Sequence, residues 1–167
     1  VYGYEGTDVT AAKATSEYDT YGVLYNWPAV MTEGICPSGW HIPSDGEWQT
    51  MEMSLGMSQD TASSIGYRGS PVGDYIKSTS GWEDDGNGSN SSGFSALPGG
   101  WRFHGGGSGY FSYAGSNGHW WSASAGSGCS SPSGSCSWRR GLNNLYDLVY
   151  RDAQTQQWGI SARCVRD

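Results

Sequence analysis

The sequence predicts a loop-rich α+β domain, and three observations carry that prediction. Aliphatic side chains are scarce: Leu, Ile, Val and Phe together number 21 of 167 residues, a level that in a highly charged chain would mean disorder. Rings are abundant instead, with 9 Trp and 11 Tyr, and at about 150–250 Å² buried apiece they can build the core that aliphatics do not. One sharply marked helix precedes a C-terminal third that alternates like strands, and Gly and Ser, 53 residues together, fill the connections. This length suits one core, so 1–167 reads as a single domain.

In chain order, a weak helix is expected over Asp8 to Tyr18, on the helix-forming Ala11, Ala12 and Ala14. The strong one starts at Ser44. Ser44-Asp45-Gly46-Glu47 is a capping box, after which Trp48, Met51 and Leu55 fall at helical spacing and Gly56 provides a stop. A short third helix is expected near Gln59 to Gly66. Strands are expected at Trp120 to Ser124, at Leu142 and Leu145 to Val149, and at Trp158 to Val165, where Ile160, Ala162 and Cys164 share one face. Glycine-rich connections run over Gly81 to Gly93, His104 to Gly109 and Ala125 to Ser137. The expected architecture is therefore small antiparallel sheets with two or three short helices.

Whole function classes fall on composition. The net charge is −7, with 9 basic against 16 acidic residues, which leaves no electrostatic footprint for nucleic acid. No apolar run approaches the ~20 residues that span a bilayer, so membrane insertion is not expected. Val1-Tyr2-Gly3-Tyr4 does not read as a signal peptide. The reading is a mature segment of a longer product. The four cysteines allow three pairings. A Cys36–Cys164 link would tie the strong helix to the last strand, and Cys129 and Cys136 bracket a flexible Ser/Gly stretch that a bond would staple. Without a CxxC or a histidine cluster a zinc site is not expected, and the even count favours an oxidising, extracellular compartment.

Several strings resemble the Fibrobacter succinogenes major paralogous domain. They are Tyr21-Gly22-Val23-Leu24-Tyr25-Asn26-Trp27, Cys36-Pro37-Ser38-Gly39-Trp40-His41-Ile42-Pro43-Ser44-Asp45, Gly93-Phe94-Ser95-Ala96-Leu97-Pro98-Gly99-Gly100-Trp101-Arg102, Trp120-Trp121-Ser122 and Ser161-Ala162-Arg163-Cys164-Val165-Arg166-Asp167. Residues 1–20 depart from that family's usual lead-in. The resemblance implies a surface or secreted protein of the Bacteroidetes type. It also implies a C-type lectin-like fold, distantly similar to formylglycine-generating enzymes, and it supports the Cys36–Cys164 pairing. The variable proteins of diversity-generating retroelements are similar too, and Ser124 to Trp158 occupies the place where those proteins vary.

Three function classes are weighed on these residues. The first is a non-enzymatic adhesion module, presenting a C-terminal aromatic and polar face to a glycan or protein ligand at the cell surface. Its candidate ligand-binding residues are Trp138, Arg140, Asn143, Tyr146, Asp147, Tyr150, Gln156 and Trp158, since rigid rings mixed with amides and Gly/Ser make a binder-like composition. The second is a structural subunit of an extracellular fibre, suggested by the Gly/Ser richness. The third is a copper-thiol oxidase, in which Cys129 and Cys136 beside Arg139 and Arg140 would supply thiolates, as the resemblance to formylglycine-generating enzymes implies. No cofactor is required by the favoured reading, although Asp84, Asp85, Asn87 and Asn90 could offer oxygens to a structural Ca²⁺. The plain alternative is a solvated acidic turn. The oligomeric state stays open.

Overall fold

The computed structural model describes residues 1–104, 109–129 and 135–167. Parts of two expected connections, 105–108 and 130–134, lie outside them. The elements run α1 (Val9–Lys13), α2 (Ser16–Tyr21), α3 (Trp27–Val30), β1 (Trp40–His41), α4 (Asp45–Ser54), α5 (Gln59–Ser63), β2 (Gly66–Arg68) and α6 (Val72–Ile76). They continue with β3 (Gly99–Phe103), β4 (Tyr110–Ala114), β5 (Asn117–Gly126), β6 (Cys136–Asn143), β7 (Val149–Thr155) and β8 (Val165–Arg166). The fold is α+β, as expected, but its described residues hold six short helices rather than two or three.

Local chemistry explains most boundaries. At α4 both halves of the capping box form: the Ser44 hydroxyl accepts from the Glu47 amide, and the Glu47 carboxylate accepts from the Ser44 amide at 2.8 Å. The expected Asp8–Tyr18 helix is broken in two, because Thr15 leaves helical geometry and caps α2 through the Tyr18 amide. The third expected helix stops at Ser63, and Gly66 already opens β2. The expected Leu145–Val149 strand is a turn up to Leu148, with the Asn143 side chain accepting from the Leu145 amide at 2.7 Å, and β7 begins only at Val149. The last expected strand shrinks to isolated bridges at Gly159, Ile160 and Ser161 and the two residues of β8. Ile160, Ala162 and Cys164 do share one core, as read from their alternation.

Four antiparallel strands in the order β2-β7-β6-β5 make the central sheet, and two-stranded pairs β1-β8 and β3-β4 flank it. Side-chain alternation along a strand gives this sheet two different faces. Trp120 and Trp121, adjacent on β5, lie in separate cores. Trp120 packs with Trp48, Ile76, Leu142 and Val149, while Trp121 packs with Val30, Ile42 and Ile160. Two buried indoles find acceptors, Trp121 donating to the Tyr25 carbonyl at 2.8 Å and Trp82 to that of Ala96 at 3.0 Å, whereas the Trp48 indole has none among the described residues.

The helix-side face also holds a buried ionic network. Glu52 on α4 is 0% exposed and accepts from Arg68 at 2.7 Å and from Arg140 at 2.6 Å. Asp45 accepts from Arg140 and from Arg151, each at 2.7 Å. Burial would push the Asp45 carboxyl up, but the Arg151 hydrogen bond and the Arg140 charge outweigh it and hold the pKa down at about 2. Three guanidiniums thus face two carboxylates. The surplus positive charge is answered by the carbonyls of Val149, Ala62 and Ser63, and by the Trp138 ring, 3.8 Å from the Arg151 guanidinium.

Two further ties close the chain. Cys36 and Cys164 form a disulfide with a Cα–Cα distance of 5.9 Å. Exposed His41 bridges the Asp167 carboxylate at 2.6 Å and the Glu47 carboxylate at 2.7 Å. Those bonds, Asp167 first and Glu47 second, raise the His41 pKa above 6.5. An imidazole must be protonated to donate from both nitrogens, so the stabilisation is fully present below pH 6.5 and is lost as pH rises through the raised folded value. Thermal melts of the wild type and of His41→Gln should therefore converge on going from about pH 6 to about pH 9. A gap that stays constant would show that the bridge contributes nothing as a cation.

Candidate functional site

On the sheet face opposite the ionic network, alternation brings Tyr67 of β2, Tyr150 of β7, Arg139 of β6 and His119 of β5 to one side. The turn before β7 adds Tyr146, the segment after it adds Trp158, and the β3-β4 hairpin lays Trp101, Phe103, Tyr110 and Tyr113 beside them. The rings form two contact runs joined through Arg139. Tyr146 lies 5.3 Å from Tyr67, and Tyr67 lies 4.7 Å from Tyr150. The Arg139 guanidinium comes next, 5.7 Å from both Tyr150 and Trp158. Trp158 is 5.5 Å from Trp101 and 5.3 Å from Phe103, and Tyr110 ends the run 5.2 Å beyond Phe103. Tyr67, Tyr110, Tyr113 and Tyr146 are roughly half exposed.

The centre of this strip is polar. Arg139 donates from Nε and Nη2 to the two oxygens of Asp152, at 2.7 and 3.2 Å, and from Nη1 to Nδ1 of His119 at 2.7 Å. That bond makes Nδ1 an acceptor, so the proton of neutral His119 sits on Nε2, which has no partner among the described residues. Burial first, and the Arg139 charge second, hold the His119 pKa well below its ordinary value. The ring fits there because residue 141 is glycine; a Cβ at that position would meet His119 Nδ1 at 2.8 Å.

Two features hold the rings in place. Tyr113 sits at φ 65°, a backbone region costly for a bulky residue, opposite Gly100 at φ 64° in the hairpin, and stacks on Trp101 at 4.5 Å. The turn carrying Tyr146 is anchored from beneath by buried Lys77. Its ammonium donates to the Tyr146 carbonyl at 3.3 Å and lies 3.8 Å from Asp147. Beside Trp158 and Phe103 the strip opens into a depression of about 800 Å³, whose lining includes Asp152, Gln154, Gln157 and His104.

Of the residues expected from sequence, Tyr146, Tyr150 and Trp158 are brought together in this strip. Asp147 lies at its margin beside Lys77. Arg140 does not belong there: it is 1% exposed and bonded to Asp45 and Glu52, with no surface to offer a ligand. Trp138 packs on Arg151, on the face away from the strip. Asn143 shapes the turn, and Gln156 donates to the Ser137 hydroxyl at 3.0 Å. The strip also contains Tyr67, Trp101, Phe103, Arg139, Asp152 and His119, which were not among the expected site residues. Alternation within β6 and β7 was the available signal for Arg139 and Asp152; for Tyr67 and the hairpin no local signal existed.

In the loop expected to offer oxygens to Ca²⁺, Asp84, Asn87 and Asn90 each accept a hydrogen bond. The Asn87 side-chain oxygen accepts from the Trp82 amide at 3.0 Å, and that of Asn90 accepts from the Ser95 amide at 2.7 Å. Asp84 accepts from Asn144 at 3.0 Å. These oxygens fold the loop, and no group of three His, Cys, Asp or Glu able to hold a metal occurs among the described residues. Asp85 belongs to no such group either. Cys129 and Cys136 are joined as a disulfide, so this pair offers no free thiolate. The two disulfides fit an extracellular or otherwise oxidising compartment. Among the described residues no helix is long and apolar enough to cross a membrane.

A family model described as the Fibrobacter succinogenes major domain matches residues 2–166, a span that includes most of the expected lead-in. No curated protein and no solved structure matches the chain.

Proposed function

The chain belongs to the Fibrobacter succinogenes major domain family, whose name carries no activity, and we propose that this member is an extracellular, cell-surface binding module. Its ligand seat is the strip from Tyr146 to Tyr110. The observation that supports this reading is the pair of ring-contact runs joined through one buried arginine, with half-exposed tyrosines at both ends. A domain this poor in aliphatics has every reason to bury its rings, and leaving them at the surface forfeits that gain. Their mounting is rigid. Lys77 fixes the turn beneath Tyr146, and Tyr113 is held against its backbone preference, so little ordering entropy remains to be lost on binding.

The test uses an array of immobilised polysaccharides and extracellular-matrix proteins, probed with the wild type and with the Tyr67→Ser/Tyr146→Ser double variant. The wild type is expected to be retained on at least one class. The variant should lose at least about tenfold in affinity while its folding stability falls by no more than about 1 kcal/mol, because both rings are half exposed. Equal retention of the two proteins, or retention of neither, would remove the strip as a ligand seat.

A further inference from the structure

We infer that the ligand taken by this strip is a neutral polysaccharide chain, an inference that rests on the binding-module reading and narrows it. The first argument is charge. Arg139 is the cation in the run of contacts, and it is already spent: three of its N–H groups go to Asp152 and His119, and its side chain is 8% exposed. His119 is held neutral by burial and by Arg139 itself. What remains toward solvent is carboxylate, with Asp152 at 20% and Asp147 at 57% side-chain exposure, on a protein of net charge −7. Both carboxylates are already paired, Asp152 with Arg139 and Asp147 with Lys77, so among the described residues the strip has no cation to spare for a polyanion. Uronate and sulfated polymers are disfavoured for the same reason as nucleic acid.

The second argument is the alternation of flat apolar faces with hydrogen-bonding groups. The C–H faces of a pyranose ring carry slight positive charge and pack on the negative face of an aromatic ring, while its equatorial hydroxyls need partners at the edge. Tyr67, Tyr146, Tyr113 and Tyr110 provide ring surface. Asp152, with its outer lone pairs directed away from Arg139, provides an acceptor, and the Gln154 and Gln157 amides line the adjoining depression. Spread over several ring contacts and then into that depression, the seat suits several linked sugars rather than one. Tyr67 adds a donor, since burial and its Tyr150 and Tyr146 neighbours raise its pKa and keep the hydroxyl protonated.

Affinity electrophoresis tests the inference with defined probes: native gels cast with a β-glucan, a glucomannan or a xylan, against gels cast with polygalacturonate or alginate. The wild type should be retarded by at least one neutral polymer and not by the acidic ones, and Tyr67→Ser/Tyr146→Ser should lose at least tenfold of that retention. Retardation by the acidic polymers alone would overturn neutrality. Failure in every gel, together with tyrosine-dependent capture of a matrix protein on the array, would overturn the carbohydrate inference and leave the binding-module reading standing. Failure in every gel and on the array would remove both.

Discussion

Glu52→Gln should lower folding stability by about 3–5 kcal/mol. The substitution conserves volume, so no cavity contributes. What it removes is the one charge that Arg68 and Arg140 share, in a site where Glu52 is 0% and Arg140 1% exposed. Three buried guanidiniums would then face the single carboxylate of Asp45. At about 2–4 °C per kcal/mol for a domain of this size, the melting temperature should fall by roughly 6–20 °C. Glu5→Gln, at the exposed pair with Arg102, is the contrast and should cost less than about 1 kcal/mol. Calorimetry of both variants decides the matter. Equal shifts would mean that water reaches the network and screens it.

Loss of the Cys36–Cys164 bond should have an effect at least as large. The bond closes a loop with a sequence separation of 128 residues, and chain entropy alone puts its contribution at about 5 kcal/mol. Cys129–Cys136, with a separation of 7, is worth only about 2–3 kcal/mol on the same arithmetic. Urea unfolding of Cys36→Ser/Cys164→Ser and of Cys129→Ser/Cys136→Ser should therefore rank in that order. A reversed ranking would show that the denatured chain already keeps the strong helix near the last strand.

What could be read from the sequence was what is decided locally. The capping box at Ser44 needs only four consecutive residues, and it appeared where the spacing placed it. The α+β class, the early position of the strong helix and the family resemblance were equally legible. The failures share one cause, which is that the deciding partner lies far along the chain. Arg140 beside Trp138 looks like a ligand contact until α4, some 90 residues earlier, supplies Asp45 and Glu52. Tyr67 carries no local sign of lying against Tyr150, because only the β2-β7 register brings them together. The turn from Asn143 to Leu148 passed for a strand because its leucines suggest burial. Leu145 in fact stands exposed, and the backbone of the turn is held by Gly73 and Lys77 from α6 and its end.

The adjacent tryptophans of β5 bear on how this protein comes apart. Trp120 and Trp121 are joined by one peptide bond, yet each anchors a separate core on its own side of the sheet. Local melting on either side would have to release a ring whose immediate neighbour is still clamped on the other. A one-residue slip of β5 would put one indole into the other's seat and leave His119 or Ser122 in the seat it vacates. Opening of either core is therefore expected to strain the other, which native-state hydrogen exchange would read as similar protection for amides on both sides of β5.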